Sequence, residues 1–223
     1  MRRLLLLFLG SVILTGQPKS PEDIFGFKVG ADYKLADYSQ MLTFHRQLAK
    51  NSDRVLMEEI GKSSEGRPMI LLYISSSENL TQLDKWKKIS SELARARIDD
   101  ATAKKHSKNG KAILWIDGGM HATERAHGQM TAELAYKIAT EETDEMQKIR
   151  ENVIVLLMTV INPDGMEIVV DWYRKNLGTP YETTGPPVLY QKYVGHDNNR
   201  DWFMNNMLES QAVSYKLYNE WYP

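Results

Sequence analysis

The sequence predicts an α/β protein whose mixed, largely parallel sheet is flanked by helices. Three observations predict it. Short continuous apolar runs at 69–75 (MILLYIS), 112–117 (AILWID) and 153–161 (VIVLLMTVI) have the length and composition of buried strands. Amphipathic stretches lie between them, and strands alternating with helices make a helix-covered sheet. The 223 residues, 42% hydrophobic and 26% charged, suffice for one sizeable core.

Taken in order, residues 1–17 read as a secretory leader. Arg2 and Arg3 precede an apolar run from Leu4 to Leu14, and small or polar residues follow. The run is short for a membrane span, so the expectation is export to a secreted or periplasmic location with no stable anchor after cleavage. No cysteine ends the run, which excludes a lipid-modified bacterial N-terminus. Residues 18–37 show no clear period and read as an extended approach segment.

From Tyr38 to Ala49, Met41, Leu42, His45 and Leu48 recur at helical spacing. Arg54–Ile60 reads as a strand, GKSSEGRP as a hairpin connection and Met69–Ser75 as the second strand. The GKSSEGR letters are not a phosphate loop, because the GxxxxGK[ST] order is missing. Leu83–Ile98 is a charged amphipathic helix, and Lys104–Lys111 a basic, solvated loop. Lys111–Asp117 has the pattern of a strand buried on both faces, and Gln129–Thr140 continues as a helix. Val153–Ile161 ends in Asn162-Pro163-Asp164-Gly165, a turn signal. Leu177–Tyr193 reads as a long surface loop and Asn205–Tyr222 as a final helix.

Composition narrows the function. A formal net charge of −1 gives no basic excess for nucleic acid. With no cysteine, an exported chain must be held by its core, and any metal site must use His, Asp and Glu.

The stretch Asp117–Gln129, DGGMHATERAHGQ, is where those residue types gather. A glycine pair ends a strand, and in open α/β sheets ligands bind where loops leave the carboxyl ends of strands. His121 and Glu124, three apart, can aim at one point from one helical turn. Imidazole nitrogen with carboxylate oxygen suits zinc. HExxH is absent, and HxxEH fails because Arg125 stands at the second histidine. Glu124 and His127 form an ExxH pair, but no second one exists, so His127 reads as a helix-face or supporting residue. Downstream, DWYRKN offers Arg174 for an oxyanion, and GHDNNRDW offers Arg200 for a carboxylate.

In order, IGKSSEGRPMILLYIS, GMHATE, INPDGME, WYRKN and HDNNRDW resemble the zinc carboxypeptidase family of metallopeptidases, from about Tyr38 to the end. The resemblance implies a zinc-carboxypeptidase-like domain over 38–223, behind the leader (1–17) and the approach segment (18–37). It implies one Zn2+ per complete domain, with His121 and Glu124 as two of its ligands. Arg174 would polarise the scissile carbonyl, and Asn199 with Arg200 would grip the free C-terminal carboxylate of a peptide substrate. Asp197 would orient the first zinc histidine. His196, beside Asp197, does not match the family's third histidine.

That third histidine and the glutamate acting as general base come later in the family, so the resemblance also implies an N-terminal fragment, inactive alone. The final helix, amphipathic, needs a partner for its apolar face. Two other readings stay open: a zinc deacylase of the same fold acting on small N-acyl amino acids, and a non-catalytic exported binding module.

Overall fold

The computed structural model describes residues 16–191 and 194–223. Of the expected leader, only positions 16 and 17 fall among them. Among the described residues no helix is long and apolar enough to cross a membrane.

The approach segment is not wholly extended. It carries a short helix, α1 (Pro21–Phe25), in which Ser20 and Asp23 cap each other and Pro21 opens the first turn. Such capping is local and leaves no apolar period to read. A second capping box, Asp37 with Gln40, starts α2 (Tyr38–Asn51). Its buried Met41, Phe44, His45 and Leu48 form the stripe that faces the sheet.

β1 (Val55–Lys62) and β2 (Pro68–Ile74) make the expected hairpin. After α3 (Ser77–Leu80) and α4 (Leu83–Arg95) the chain departs from expectation. Residues 104–109 are not loop but the body of α5 (Asp100–Asn109). Asp99 accepts the Thr102 N–H at 2.7 Å to cap it, and it buries no residue, so no amphipathic period marked it.

β3 (Ala112–Asp117), α6 (Arg125–Thr140), α7 (Asp144–Asn152) and β4 (Val153–Met158) form a crossover unit. The turn expected at Asn162–Gly165 is the start of α8 (Pro163–Asn176). Asn162 Oδ1 accepts the Gly165 N–H at 2.8 Å, and Pro163 sits where a helix needs no donor. α9 (Leu208–Tyr215) runs on into a π-helical turn (Lys216–Trp221).

The strand order is β1-β2-β4-β3. Only the β3–β4 pairing is parallel; β1–β2 and β2–β4 are antiparallel. The parallel share is below expectation: the tight β1–β2 turn can join only antiparallel neighbours, and β4 also runs antiparallel to β2. β2 and β4 are covered on both faces, which explains their unbroken apolar runs. Ile70, Leu72, Ile74, Val155 and Leu157 meet α2 and α6 on one side. Met69, Leu71, Tyr73, Ile154, Leu156 and Met158 meet Trp86, Val213 and Trp221 on the other. Burying one such leucine stabilises by about 1.5–3 kcal/mol. β3 is an edge strand, not buried on both faces: Leu114 is 46% exposed.

The final helix finds its partner inside the chain. Trp221 is fully buried with its ring 5.4 Å from that of Tyr73. Lys216, also buried, donates to Glu58 at 2.7 Å and Glu220 at 2.8 Å. Two carboxylates offset the desolvation of that ammonium.

Candidate metal and substrate site

Because β3 and β4 are parallel, both release their loops at the same edge of the sheet. The loops stay laced together: Ile161 N–H donates to Gly118 O at 2.9 Å, and Asn162 N–H to Gly119 O at 3.0 Å. The glycine pair permits this. A Cβ on Gly118 would lie 2.6 Å from His127 O, and Gly119 has φ +63° with Val160 Cγ1 2.7 Å from its Cβ position. The chain therefore turns tightly over β4 and enters α6 through the turn His121–Glu124, closed by Glu124 N–H to His121 O at 3.0 Å.

That turn brings the predicted pair together. His121 Nδ1 lies 3.3 Å from Glu124 Oε1, and the other carboxylate oxygen, Oε2, lies 3.1 Å from His127 Nδ1. His127 is thus a neighbour of Glu124 on the exposed helix face, as its spacing suggested. Between His121, Glu124, Gly119 and Met166 is a hollow of about 10 Å³, room for about one water-sized particle. Among the described residues no group of three His, Asp or Glu is arranged around one point to hold a metal.

The second ring nitrogen of His121 faces Asp197. Nε2 lies 3.8 Å from Asp197 Oδ1, a buried oxygen with no hydrogen-bond partner. Asp197 precedes a one-turn helix, Asn198–Arg200, on which Asn199 and Arg200 are exposed. The contact of the Arg200 guanidinium is a long 3.5 Å approach to Asn199 O. Both residues directly follow Asp197, and among the described residues no ion pair holds the Arg200 guanidinium.

His196 is held elsewhere. Its Nε2 lies 2.8 Å from Asp201 Oδ1, while Asp201 Oδ2 accepts the Met207 N–H at 2.9 Å. Burial raises the Asp201 carboxyl, but the Met207 N–H and the His196 ring outweigh it and hold it below the usual range. This pair fixes the loop that carries Asp197, which accounts for His196 without a metal.

Arg174 ends α8 and turns toward the approach segment. It donates to Asp37 Oδ2 at 2.7 Å, Leu35 O at 2.7 Å and Gln40 Oε1 at 2.8 Å. The structure thus brings His121 near both Glu124 and Asp197, carries Asn199 and Arg200 on the one-turn helix that follows Asp197, and gives Arg174 an anchoring contact.

Two residues escaped sequence reasoning. Asp164, buried in the first turn of α8, accepts from Ser63 Oγ (2.6 Å), Glu65 N–H (2.8 Å) and Arg67 (2.7 Å). The Asn-Pro pair that opens its helix was the available signal. Arg125, the first residue of α6, lies over the Tyr173 ring at 5.5 Å. Only its place beside Glu124 marked it.

Comparison with known proteins bears on the family and the fold. The model of the family described as zinc carboxypeptidase matches residues 41–220. A metallo-carboxypeptidase from Burkholderia cenocepacia has the same fold at TM-score 0.53 and 16% identity, over 82% of this chain and 38% of that one. Carboxypeptidase A from Helicoverpa armigera matches at TM-score 0.51 and 16% identity, over 86% of this chain and 47% of that one. The chain therefore spans less than half the length of either. A match over most of the chain, on a fold that pairs His121 with Glu124 at a strand end, decides the relationship: this chain belongs to the zinc carboxypeptidase family.

Proposed function

We propose that the chain supplies part of the active site of an exported, zinc-dependent carboxypeptidase that hydrolyses peptide bonds near a free C-terminus. One observation carries the reading. His121 presents one ring nitrogen to Glu124 at 3.3 Å and the other to the unpartnered, buried Asp197 Oδ1 at 3.8 Å. A carboxylate behind a histidine is the usual means of fixing which nitrogen stays bare.

The residues fit zinc as two of its usual donors, one nitrogen and one oxygen beside a hollow of single-atom size. When bound, zinc supplies a Lewis acid for the scissile carbonyl and lowers the pKa of water. Asp197, 3.8 Å from His121 Nε2, would accept the proton on that nitrogen once the two close to hydrogen-bond distance, leaving Nδ1 free to ligate. Asn199 and Arg200 hold the substrate carboxylate, for which a free guanidinium has the matching fork. Arg174 steadies the developing oxyanion once it exchanges Asp37 and Gln40 for substrate.

The match spans less than half of either solved relative, and two donors rarely retain a catalytic metal. Turnover therefore belongs to a protein that brings further donors and a base to this half. Metal analysis of the chain, with and without His121→Ala, tests the reading. The expected result is weak zinc uptake that His121→Ala abolishes, with negligible peptide hydrolysis. Uptake unchanged by His121→Ala and by Glu124→Ala overturns it.

A further inference from the structure

A second hollow, of about 400 Å³, opens on the far side of Arg125 from the His121–Glu124 pair. Its walls are the approach segment at 29–35, the first two turns of α6, and Tyr173 of α8. Val29, Leu35 and Met130 make it apolar, and Tyr33 and Tyr173 stand at its sides.

The walls are fixed. Gln129, buried on α6, accepts the Ala36 N–H at 3.0 Å, and Arg174 holds Leu35 O and Asp37 from α8. The segment is thereby sewn to two helices on either side of the hollow. Tyr33 on its rim has φ +60°, a left-handed conformation that a tyrosine rarely adopts, and the residue is 66% exposed. Strained, exposed aromatics of this kind concentrate at ligand clamps.

The charge of Arg125 meets the face of Tyr173 but, among the described residues, no carboxylate. Arg125 Nε is buried with no hydrogen-bond partner, and among the described residues its guanidinium makes no ion pair. The neighbouring Glu124 carboxylate faces the two histidines instead. A cation in a first helical turn is opposed by the helix dipole, and the Tyr173 ring face 5.5 Å away is only a partial compensation. On the rim, Asp32 and Lys34 offset each other, leaving Arg125 as the net charge.

We propose that this hollow is a binding subsite for an acidic side chain of the peptide substrate. Arg125 receives the carboxylate, and Tyr33 and Tyr173 clasp the aliphatic part. The proposal rests on the peptidase reading for its ligand class, because Arg125 borders both hollows and a peptide lying over His121 passes it.

Calorimetric titration of the whole chain with two four-residue peptides tests it. Both end in a free-carboxylate phenylalanine, and they differ only by glutamate or glutamine at the first position. The glutamate peptide is expected to bind about ten-fold more tightly, and the difference to shrink in high salt. Arg125→Gln should erase the preference while leaving the glutamine peptide unaffected, which also shows that the variant folds. Arg125→Lys should keep part of it, and Tyr33→Gly should weaken both peptides. Equal affinities on the wild type, no measurable binding of the glutamate peptide, or a preference that survives Arg125→Gln overturns the subsite. His121→Ala should retain the preference. Zinc uptake indifferent to His121→Ala and Glu124→Ala, with the glutamate preference intact, refutes the peptidase reading alone; uptake that His121→Ala abolishes, without the preference, refutes the subsite alone.

Discussion

The Asp164 carboxylate lies 2.7 Å from the Arg67 guanidinium, joining the first turn of α8 to the β1–β2 hairpin 97 residues earlier. The same carboxylate accepts from Ser63 and from the Glu65 backbone. Asp164→Ala removes the acceptor for three donors, one of them charged. Denaturant unfolding should show a loss of about 3 kcal/mol. Asp164→Asn, which keeps an oxygen, should lose less.

His45 gives the fold an acid sensitivity. It is fully buried on α2 beside Phe44, and burial pushes its pKa down to about 3. Above pH 6.5 the ring is neutral folded or unfolded. Between pH 6.5 and 3 only the unfolded chain takes the proton, so stability should fall by about 1.4 kcal/mol per unit. His45→Leu should remove that part of the slope in chemical denaturation measured from pH 7 to pH 4.

Gly118 allows no side chain. A methyl there would press on His127 O and on Thr131 Cγ2, each 2.6 Å away. Gly118→Ala should destabilise by about 1–3 kcal/mol and pry α6 from the β3 loop. Weaker zinc uptake should accompany the lowered melting temperature, since His121 and Glu124 sit between the two.

On the proposed reading Asp197 would act through His121. In a form of the protein that retains zinc, Asp197→Ala should weaken the metal by about 10–100-fold. Asp197→Asn, which still offers an oxygen, should fall between. Competition with a chelator of known affinity reads the difference, and unfolding should move little because the Asp197 side chain is 31% exposed.

Arg174 pins the approach segment. Arg174→Ala should speed hydrogen exchange at residues 31–37 while global stability drops by less than about 1 kcal/mol, the pair being partly exposed. Unchanged exchange there would show that Gln129 alone holds the strap.

What the sequence made legible follows from how each element is encoded. β2 and β4 are covered on both sides and wrote themselves as unbroken apolar runs. α2 wrote itself as a stripe. α5 buries no residue and α1, at five residues, is too short to show a period, so their caps, Asp99 and Ser20, announce them, and a cap alone is a faint signal. The exposure of β3 was hidden because strand position in a sheet is a tertiary property; AILWID reads alike at an edge or a centre. At the site, His121 and Glu124 were readable because one turn joins them. Asp197 was reachable only through the family resemblance, since 76 positions separate it from His121. The Arg174 anchor was not readable at all, because its partners belong to a segment without periodicity.

The lacing of the β3 and β4 loops turns strand register into a ruler. Two adjacent backbone hydrogen bonds, from Ile161 and Asn162 to the glycine pair, fix where His121 stands relative to α8. A two-residue slip of β4 would carry α8 about 7 Å along the sheet and part Met166 from the hollow it lines. Length changes within 112–119 or 153–162 are therefore forbidden in practice. The surface loop at 177–191, outside that measure, is where insertions can reshape the cleft without moving the histidine.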